Sequence, residues 1–502
     1  MLLLALAAGA YFVLRPDGRW AEEDTASMAL SIRAILDTGL LAPRLDYVYS
    51  NGYGYQAVSV AIMAFTGLPV ETLQQVVYPI VSALVVLPAW ALYREVTGSA
   101  RIASLATLLL LLVPEHLFAL LRGSHERLDR VFMLAALWLL VRSLRFHGRP
   151  RAVAVHLGLV LVATYGLIAT NVLFGMSFVL ALFTALLLSV VARIGPKTVR
   201  RFAAESSRLL PWVVGAGIVL ISIFILFLYP PVAESLRALA TIPETLANLI
   251  FSGGSGFNPY ANVLGTWVSP LAFLILSLSN FLLLVLSVAI WLRLGWSWLR
   301  GATPASIGVW MLWVLFAAYA LQGAGGVLSD RTGALQGNVQ YRAFSVFATM
   351  AAPILAIGLS RWRPGRWART AATGAFAAVA VLAILKMTLD PAVSNKWLFY
   401  LPEELQGLRW ADSHQRGTDT WIGPDNRLSS AFGLVDGLLR DGNRWDEAEP
   451  EPGTQTFVVS DVVRLQAAKL GTTMPALGSL NIVYDNGDLQ LYRRPGVAAF
   501  DQ

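Results

Sequence analysis

Apolar runs constrain this sequence more than any other feature in it. A helix needs roughly 20 predominantly apolar residues to cross the hydrocarbon core of a bilayer, and about 11 stretches approach that length. They lie near residues 1–14, 72–93, 102–121, 128–144, 152–168, 170–192, 209–230, 266–292, 304–322, 341–360 and 370–389. The sequence therefore predicts a mainly α-helical, polytopic transmembrane bundle of about 11 spans.

The composition agrees with a membrane protein and excludes several other classes. Hydrophobic residues make up 56% of the chain and charged residues only 14%, whereas soluble domains carry about 25% charged residues. The formal net charge of +7 comes from Lys and Arg in short loops, a pattern typical of cytoplasmic flanks, so we expect no nucleic-acid partner. The absence of cysteine excludes disulfides, thiolate metal sites and cysteine nucleophiles.

The loop charges predict how the spans are oriented. Alternate loops are basic, and the positive-inside rule makes them cytoplasmic. These loops contain Arg94 and Arg101; Arg142, Arg145, Arg149 and Arg151; Arg193, Lys197, Arg200 and Arg201; Arg293 and Arg300; Arg361, Arg363, Arg366 and Arg369. The other loops, 15–70, 114–127, 230–265 and 323–341, are poorer in Lys and Arg and are expected outside. A multi-pass protein of the cell membrane is predicted, with a cytoplasmic N-terminus.

The chain after about residue 391 has a different composition. Charges, Pro and Gly return, and no run is long enough to span a membrane. Alternating residues on either side of Asn486-Gly487 predict a β-hairpin. We therefore expect a transmembrane domain over 1–391 and a small extracytoplasmic α/β domain over 392–502. The second domain could be a lid facing an acceptor or a stabilising cap.

An acidic cluster follows the first apolar run. Glu22, Glu23 and Asp24 precede a stretch with Met28, Ile32, Ile35 and Leu36 at helical spacing. This pattern predicts a helix lying in the membrane interface, with Asp24 at its N-cap position. Asp24 either serves a reaction there or only caps the helix and complements its dipole.

A second acidic cluster opens the predicted fourth span. Glu126 and Asp129 are three residues apart and share a helix face. Together with His125, they could hold a hard divalent cation or form a proton-accepting site. The alternative is two helix-start acids with Arg127 and Arg130 as solvated partners.

Other features of the predicted outer face are an arginine and a glycine-rich loop. Arg342 follows Tyr341 at the start of the tenth span, where it could bind a phosphate or anchor the helix in the interface. The loop 251–267 is expected to cover a site or to connect spans, and the chain has no Walker-type phosphate motif. Apart from Lys386, the span interiors are nearly free of charge, which favours chemistry at the surface over transport.

Three stretches resemble motifs of the GT-C class of membrane glycosyltransferases. "EEDTASMALSIRAILDTGLLAP" is similar to the acid and helix that follow the first span in this class. "RGSHERLDRVFML" resembles the second acidic motif of oligosaccharyltransferase catalytic subunits, although Asp129 falls one position later than the second acid of that motif. "VQYRAFSVFATMAAPILA" resembles their arginine-containing span. The Trp-Trp-Asp motif of those subunits is replaced by "LRWADSHQRGTDTW", in which Ala411 separates Trp410 from Asp412.

The resemblance implies an inverting transfer of a sugar from a polyprenyl-phosphate-type lipid at the outer face. Asp24, Glu126 and Asp129 would be catalytic, and Arg342 and Tyr341 would bind the donor phosphate. A divalent cation, Mg²⁺ or Mn²⁺, would be held by Asp24, Glu126 and His125, and no covalently bound cofactor is expected.

The sequence leaves several partners and functions open. The expected partners are a polyprenyl-phosphate-linked sugar, membrane lipids and an acceptor that is a lipid, a glycan or a protein. The alternative functions are an oligosaccharyltransferase acting on protein, a lipid-sugar flippase or transporter, and a non-catalytic scaffold.

Overall fold

The computed structural model describes most of the transmembrane part of the chain and much of the C-terminal sheet. The described residues are 2–14, 23–41, 49, 51–121, 124–146, 148–232, 247, 271, 274–275, 277–332, 339–362, 365–388, 400–414, 420–421, 428, 454–461, 464 and 476–495. The glycine-rich loop 251–267 and most of the predicted outer loop 230–265 lie outside them.

Helices dominate the described part of the chain. In chain order they are α1 (Leu2–Leu14), α2 (Glu23–Thr38), α3 (Gly54–Thr66), α4 (Val70–Thr97), α5 (Ala100–Leu111), α6 (Pro114–Leu121), α7 (Glu126–Arg145), α8 (Pro150–Thr170), α9 (Val172–Ala192), α10 (Lys197–Leu228), α11 (Leu278–Leu299), α12 (Ile307–Thr332), α13 (Val339–Ser360), α14 (Arg366–Thr388) and α15 (Pro402–His414). The predicted mainly α-helical, polytopic architecture is confirmed.

The span count differs from the prediction for identifiable reasons. Within the described residues, eight helices are long and apolar enough to cross a membrane, and α5 with α6 would make a ninth. The run at 102–121 was predicted as one span, but it is broken between α5 and α6 by a bend of 76°. The break precedes Pro114, which has no backbone N–H and disfavours helical geometry in the residue before it. Two further predicted spans are not among these helices. The helix α1 has only 13 residues, which is too short to cross a membrane, and four of the first five residues of α7 are charged.

Contacts between helix ends show which loops lie together at each end of the bundle. Arg145 Nη1 lies 3.0 Å from Glu95 Oε1, and Ser306 Oγ donates to Val96 O at 3.1 Å. Thr198 Oγ1 donates to Trp298 O at 3.0 Å. Loops that the sequence predicts on one side of the membrane therefore meet at one end, here called the basic end. The second acidic motif and the start of α13 meet at the opposite end, here called the acidic end.

The C-terminal domain contains a small mixed sheet. Its strands are β1 (Thr420–Trp421), β2 (Thr456–Ser460), β3 (Asn481–Asp485) and β4 (Leu489–Arg493), in the spatial order β1-β2-β4-β3. β4 runs antiparallel to both of its neighbours, which confirms the hairpin predicted at Asn486-Gly487. Gly487 has φ 97°, a left-handed conformation that glycine adopts without steric cost.

The helix α2 packs against the C-terminal domain. Met28, Ala29 and Ile32 are buried in one cluster with Leu408 of α15 and Val458 of β2. Of the predicted apolar stripe, Met28, Ile32 and Ile35 are buried in the protein, whereas Leu36 is 41% exposed. With Asp24 at the N-cap the helix would begin at Thr25, but it begins two residues earlier, at Glu23. The backbone of Asp24 therefore lies in its first turn, while the Asp24 side chain lies outside the described part.

Candidate active site

Charged side chains are buried together in the first turn of α7. His125, Glu126, Arg127, Asp129 and Arg130 are each at most 4% exposed. The alternative interpretation, in which the two arginines are solvated partners of helix-start acids, is therefore wrong. Charged groups are almost never fully buried unless they are paired or serve a function, so this turn is the strongest candidate for an active site among the described residues.

Aromatic rings from other helices cover the two arginines. The Arg127 guanidinium lies 4.8 Å from the centroid of the Tyr78 ring, and its Nη2 donates to Leu121 O at 3.0 Å. The Arg130 guanidinium lies 4.9 Å from the centroid of Phe174. Such cation–π contacts are worth about 2 kcal/mol when the pair is desolvated. They hold both cations beside the carboxylates of the same helical turn.

A distorted segment of α4 carries Tyr78 to this position. Leu73–Val77 forms a π-helical turn, and Ser82–Val85 forms a 3₁₀ turn. The Tyr78 hydroxyl is 2.8 Å from Ser59 Oγ, and Tyr55 donates a hydrogen bond to Gln74 Oε1. Single π-helical turns occur frequently at functional sites. Here the distortion brings a buried polar layer under Arg127.

The second acidic motif and the arginine-containing span meet at the acidic end. Arg342 Nε lies 3.4 Å from Glu126 Oε1. The Glu126 side chain is 5% exposed, whereas that of Arg342 is 42% exposed and can reach a ligand in solvent or at the membrane surface. The structure thus joins two of the predicted site residues. The side chain of the neighbouring Tyr341 lies outside the described part.

Asp129 presents buried carboxylate oxygens. Its Oδ2 lies 3.7 Å from His125 Nε2, which is too long for a hydrogen bond. Within the described part of the chain, neither oxygen of Asp129 accepts a hydrogen bond. Buried carboxylate oxygens are suited to a cation or to the positive charge that develops on a reacting sugar.

His125 is held by residues that the sequence analysis missed. Asn171 Nδ2 lies 2.7 Å from His125 Nε2, and the Tyr49 hydroxyl lies 3.2 Å from the same nitrogen. The Tyr49 and His125 rings are stacked, with centroids 4.9 Å apart. Asn171 lies near the start of the predicted span 170–192 and has the residue type of a helix N-cap, which was the available signal. Nothing in the sequence indicated Tyr49.

Tyr49 belongs to a short segment that crosses the break between α8 and α9. We call Tyr49 together with residues 51–54 the strap. Val172 N donates to Asn51 O at 2.8 Å, and Tyr53 N donates to Ala169 O at 2.9 Å. Tyr229 donates its hydroxyl to Tyr49 O at 2.7 Å. The strap thereby joins the predicted outer loop 15–70 to the second acidic motif and to the end of α10.

A complete metal site is not formed by the described side chains alone. Among them, no group of three or more His, Asp and Glu residues could hold a metal ion. Glu126 and Asp129 supply oxygen ligands of the kind that Mg²⁺ and Mn²⁺ prefer. His125 turns Nε2 towards Asn171 and Tyr49. A third ligand has to come from outside the described side chains, where Asp24 lies.

Comparisons with known proteins give structural matches only. No protein-family model and no curated protein matches the sequence. ArnT from Cupriavidus metallidurans, solved bound to undecaprenyl phosphate, aligns with 100% of this chain and 99% of its own, at 15% identity and a TM-score of 0.55. The Archaeoglobus fulgidus oligosaccharyltransferase in complex with zinc and sulfate aligns with 89% of this chain, at 15% identity and a TM-score of 0.56.

A second structure from the same archaeon extends the comparison. Archaeoglobus fulgidus AglB, in complex with an inhibitory peptide and a dolichol-phosphate, aligns with 89% of this chain at 13% identity and a TM-score of 0.53. This chain spans only 58% and 61% of the two archaeal chains. At these identities the likeness establishes the fold alone: the chain is a polytopic membrane protein with the fold of the GT-C glycosyltransferases. The resemblance seen in the sequence is thereby confirmed.

Proposed function

We propose that this protein is an inverting glycosyltransferase that moves a sugar from a polyprenyl-phosphate-type lipid to an acceptor at the outer face of the cell membrane. The observation that carries the proposal is the contact between Glu126 and Arg342 at the acidic end of a GT-C fold. Two structures with this fold hold polyprenyl lipids, namely undecaprenyl phosphate in ArnT and a dolichol-phosphate in AglB. Both support a lipid-linked donor.

The proposed orientation follows from the two ends of the bundle. The basic end lies in the cytoplasm by the positive-inside rule, together with the N-terminus. The acidic end and the C-terminal domain then lie outside the cell, where nucleotide sugars are not available. A donor carried by a membrane lipid presents its head group at that surface.

Each site residue has a role in a single displacement. Asp24 accepts the proton of the acceptor hydroxyl as the new bond forms between the acceptor oxygen and the anomeric carbon. The bond from that carbon to the phosphate oxygen breaks, and its electron pair stays on the phosphate. Arg342, with Tyr341 beside it, binds the phosphate and stabilises the growing negative charge. Glu126 and Asp129 stabilise the positive charge on the sugar.

The residues present fit a divalent cation held by carboxylates. Glu126 and Asp129, with Asp24 as the third ligand, would hold Mg²⁺ or Mn²⁺, and the donors around His125 Nε2 favour this set over one that includes His125. A bound cation would neutralise charge on the donor phosphate. The archaeal oligosaccharyltransferase solved with zinc supports a metal in this fold.

A lipid or glycan acceptor is favoured over a protein acceptor. The AglB structure contains an inhibitory peptide, so an oligosaccharyltransferase remains the second candidate. The chain matches the full length of ArnT but only part of the archaeal enzymes. It also lacks an uninterrupted Trp-Trp-Asp motif, since Ala411 separates Trp410 from Asp412.

The role of Asp24 can be tested with a matched pair of variants on α2. The full chain is reconstituted in nanodiscs, and transfer is measured with a panel of radiolabelled undecaprenyl-phosphate sugars and with lipid, glycan and sequon-peptide acceptors. Asp24→Asn should lower kcat by about 10²–10⁴-fold, the usual contribution of a general base. Asp37→Asn, an exposed change on the same helix, should keep the wild-type rate. Full activity of Asp24→Asn would overturn the assignment.

A further inference from the structure

Asn171 lies between α8 and α9 and takes no part in the displacement described above. We propose that Asn171 is a positioning residue for Glu126 and Asp129, and that it acts through the ring of His125. The inference rests on the proposed function, because it assigns a catalytic purpose to a contact next to the two acids.

The cap of α9 fixes the orientation of the Asn171 amide. Asn171 Oδ1 accepts hydrogen bonds from Leu173 N at 2.9 Å and Phe174 N at 3.3 Å. Backbone N–H groups only donate, so the oxygen of the amide must face them. The NH₂ group therefore faces His125 Nε2, 2.7 Å away. Nε2 accepts this hydrogen bond, and the ring proton of neutral His125 is on Nδ1.

The Tyr49 ring holds the His125 ring in place. Its hydroxyl accepts hydrogen bonds from Asn51 Nδ2 at 3.1 Å and from Asn171 Nδ2 at 3.0 Å, and it lies 3.2 Å from His125 Nε2. The amide donor at Nε2 and the stacked ring hold His125, which is 1% exposed. The imidazole ring therefore has one orientation and one tautomer.

The position of His125 determines where the first turn of α7 begins. Its carbonyl oxygen accepts from Leu128 N at 3.0 Å and from Asp129 N at 3.1 Å. Glu126 follows directly and reaches Arg342. A shift of His125 therefore moves both carboxylates relative to the phosphate-binding arginine. Because a displacement of about 1 Å in a catalytic group can cost about 100-fold in rate, Asn171 contributes to the rate without touching substrate.

Two variants, Asn171→Ser and Ser99→Ala, distinguish a positioning role of Asn171 from a role as a helix cap alone. Asn171→Ser keeps a good N-cap residue for α9 but removes the amide donor to His125. Ser99→Ala removes a cap at the basic end, where Ser99 Oγ accepts from Ile102 N at 3.4 Å. With the most active undecaprenyl-phosphate sugar of the panel, Asn171→Ser should lower kcat about 100-fold and leave KM for the donor unchanged. Ser99→Ala should keep the wild-type kcat.

A spectroscopic measurement tests the mechanism of positioning without using activity. The chain has five histidines, so ¹⁵N-histidine labelling gives few signals, and the His125 signals are identified by their loss in His125→Gln. The wild-type spectrum should show an N–H at Nδ1 and an unprotonated Nε2. Asn171→Ser should show a mixture of both tautomers.

Two results would overturn the inference. If Asn171→Ser keeps the wild-type kcat, or if the His125 tautomer does not respond to it, Asn171 is only a helix cap. Failure of the proposed function is a different result, namely absence of transfer by the wild-type chain with every sugar and acceptor. The ¹⁵N spectra still decide in that case whether Asn171 sets the tautomer of His125.

Discussion

Arg342 and Glu126 differ in their exposure to water, and this difference separates their contributions to stability and to chemistry. The arginine is half exposed, so water screens its attraction to the carboxylate at 3.4 Å. Ion pairs with such access contribute about 0–1 kcal/mol to stability. A phosphate that displaces water from the same guanidinium would gain much more, because the interaction then forms in a drier environment.

Arg342→Gln should therefore impair transfer far more than folding. We expect a fall in kcat of about 10²–10³-fold, as for the loss of one group that stabilises transition-state charge. The free energy of unfolding should change by less than about 1 kcal/mol. Initial rates and thermal unfolding of the same preparations measure the two effects. Arg366→Gln, at an exposed site at the start of α14, is the control, and equal rates in both variants would contradict the assignment.

The buried arginines show what residue spacing can and cannot predict. The sequence placed Glu126 and Asp129 on one helix face, and the structure places both in the same buried turn. It gave no indication that Arg127 and Arg130 are buried. Their covering rings come from Tyr78 and Phe174, on helices distant in sequence. Spacing defines the face of a helix, whereas long-range packing decides what covers that face.

At the scale of elements, the strap depends on a close approach of two backbones. A Cβ atom on Gly52 would lie 2.4 Å from Ala169 O and 2.7 Å from Thr170 O. Ala169 O also accepts the hydrogen bond from Tyr53 N, so it cannot move away from residue 52 without breaking this contact with the strap. The absence of a side chain at residue 52 is therefore a condition for the contact between the strap and the break at Asn171.

Gly52→Ala should detach the strap from α8. We expect a loss of about 1–3 kcal/mol of stability, the usual cost of overpacking a closed contact, and faster hydrogen exchange of the Val172 and Tyr53 amides. Gly215→Ala is the matched control, since a Cβ there meets no described atom within 4 Å. This control should be neutral or slightly stabilising. Unchanged exchange in Gly52→Ala would show that the strap accommodates a methyl group.

The positions of most spans were predictable at element scale, but their number and their internal shape were not. Apolar content marks which segments leave water, so most runs became helices close to the predicted bounds. Apolar content is high throughout residues 102–121 and therefore does not reveal the bend before Pro114. Apolar content also overlooks the π-helical turn at Leu73–Val77 in α4, where Gln74 accepts a hydrogen bond from Tyr55.

At the scale of the whole molecule, one hydrophobic cluster joins α2 to the C-terminal domain. It contains Met28 and Ile32 from α2, Leu408 from α15, and Val458 and Leu491 from the sheet. The other face of the sheet forms a separate cluster that includes Val459. Successive residues of a strand point to opposite faces of the sheet. Replacing Val458 or Val459 by Ala therefore makes the same chemical change in one cluster or in the other.

Val458→Ala should loosen α2, whereas Val459→Ala should not. Both variants should lose about 1–3 kcal/mol in the C-terminal domain, because both side chains are at most 1% exposed. Only Val458→Ala should accelerate hydrogen exchange at the amides of Met28, Ala29 and Ile32. Equal exchange in the two variants would mean that the domain does not stabilise the helix of Asp24.

The sequence predicted a small α/β region after the apolar runs, but not the core that this region shares with α2. A change in composition marks the end of the apolar runs, and this change is visible without a structure. Met28 and Leu408 come from opposite ends of the chain and lie in one cluster, and no local pattern encodes this contact between α2 and the C-terminal region. The contact agrees with the cap interpretation of the C-terminal domain, and the lid interpretation depends on an acceptor that the sequence does not identify.

The helix α14 has few neighbours within the described part of the chain. Only 6% of its most apolar stretch is buried, compared with 72% for α13. Where a membrane span is not covered by protein, its side chains meet fatty acyl chains, and these impose no particular shape on a side chain. Exchanges among Ala, Val, Leu and Ile at uncovered positions of α14 should therefore change the free energy of unfolding very little. The same exchanges on α13 would alter packed contacts.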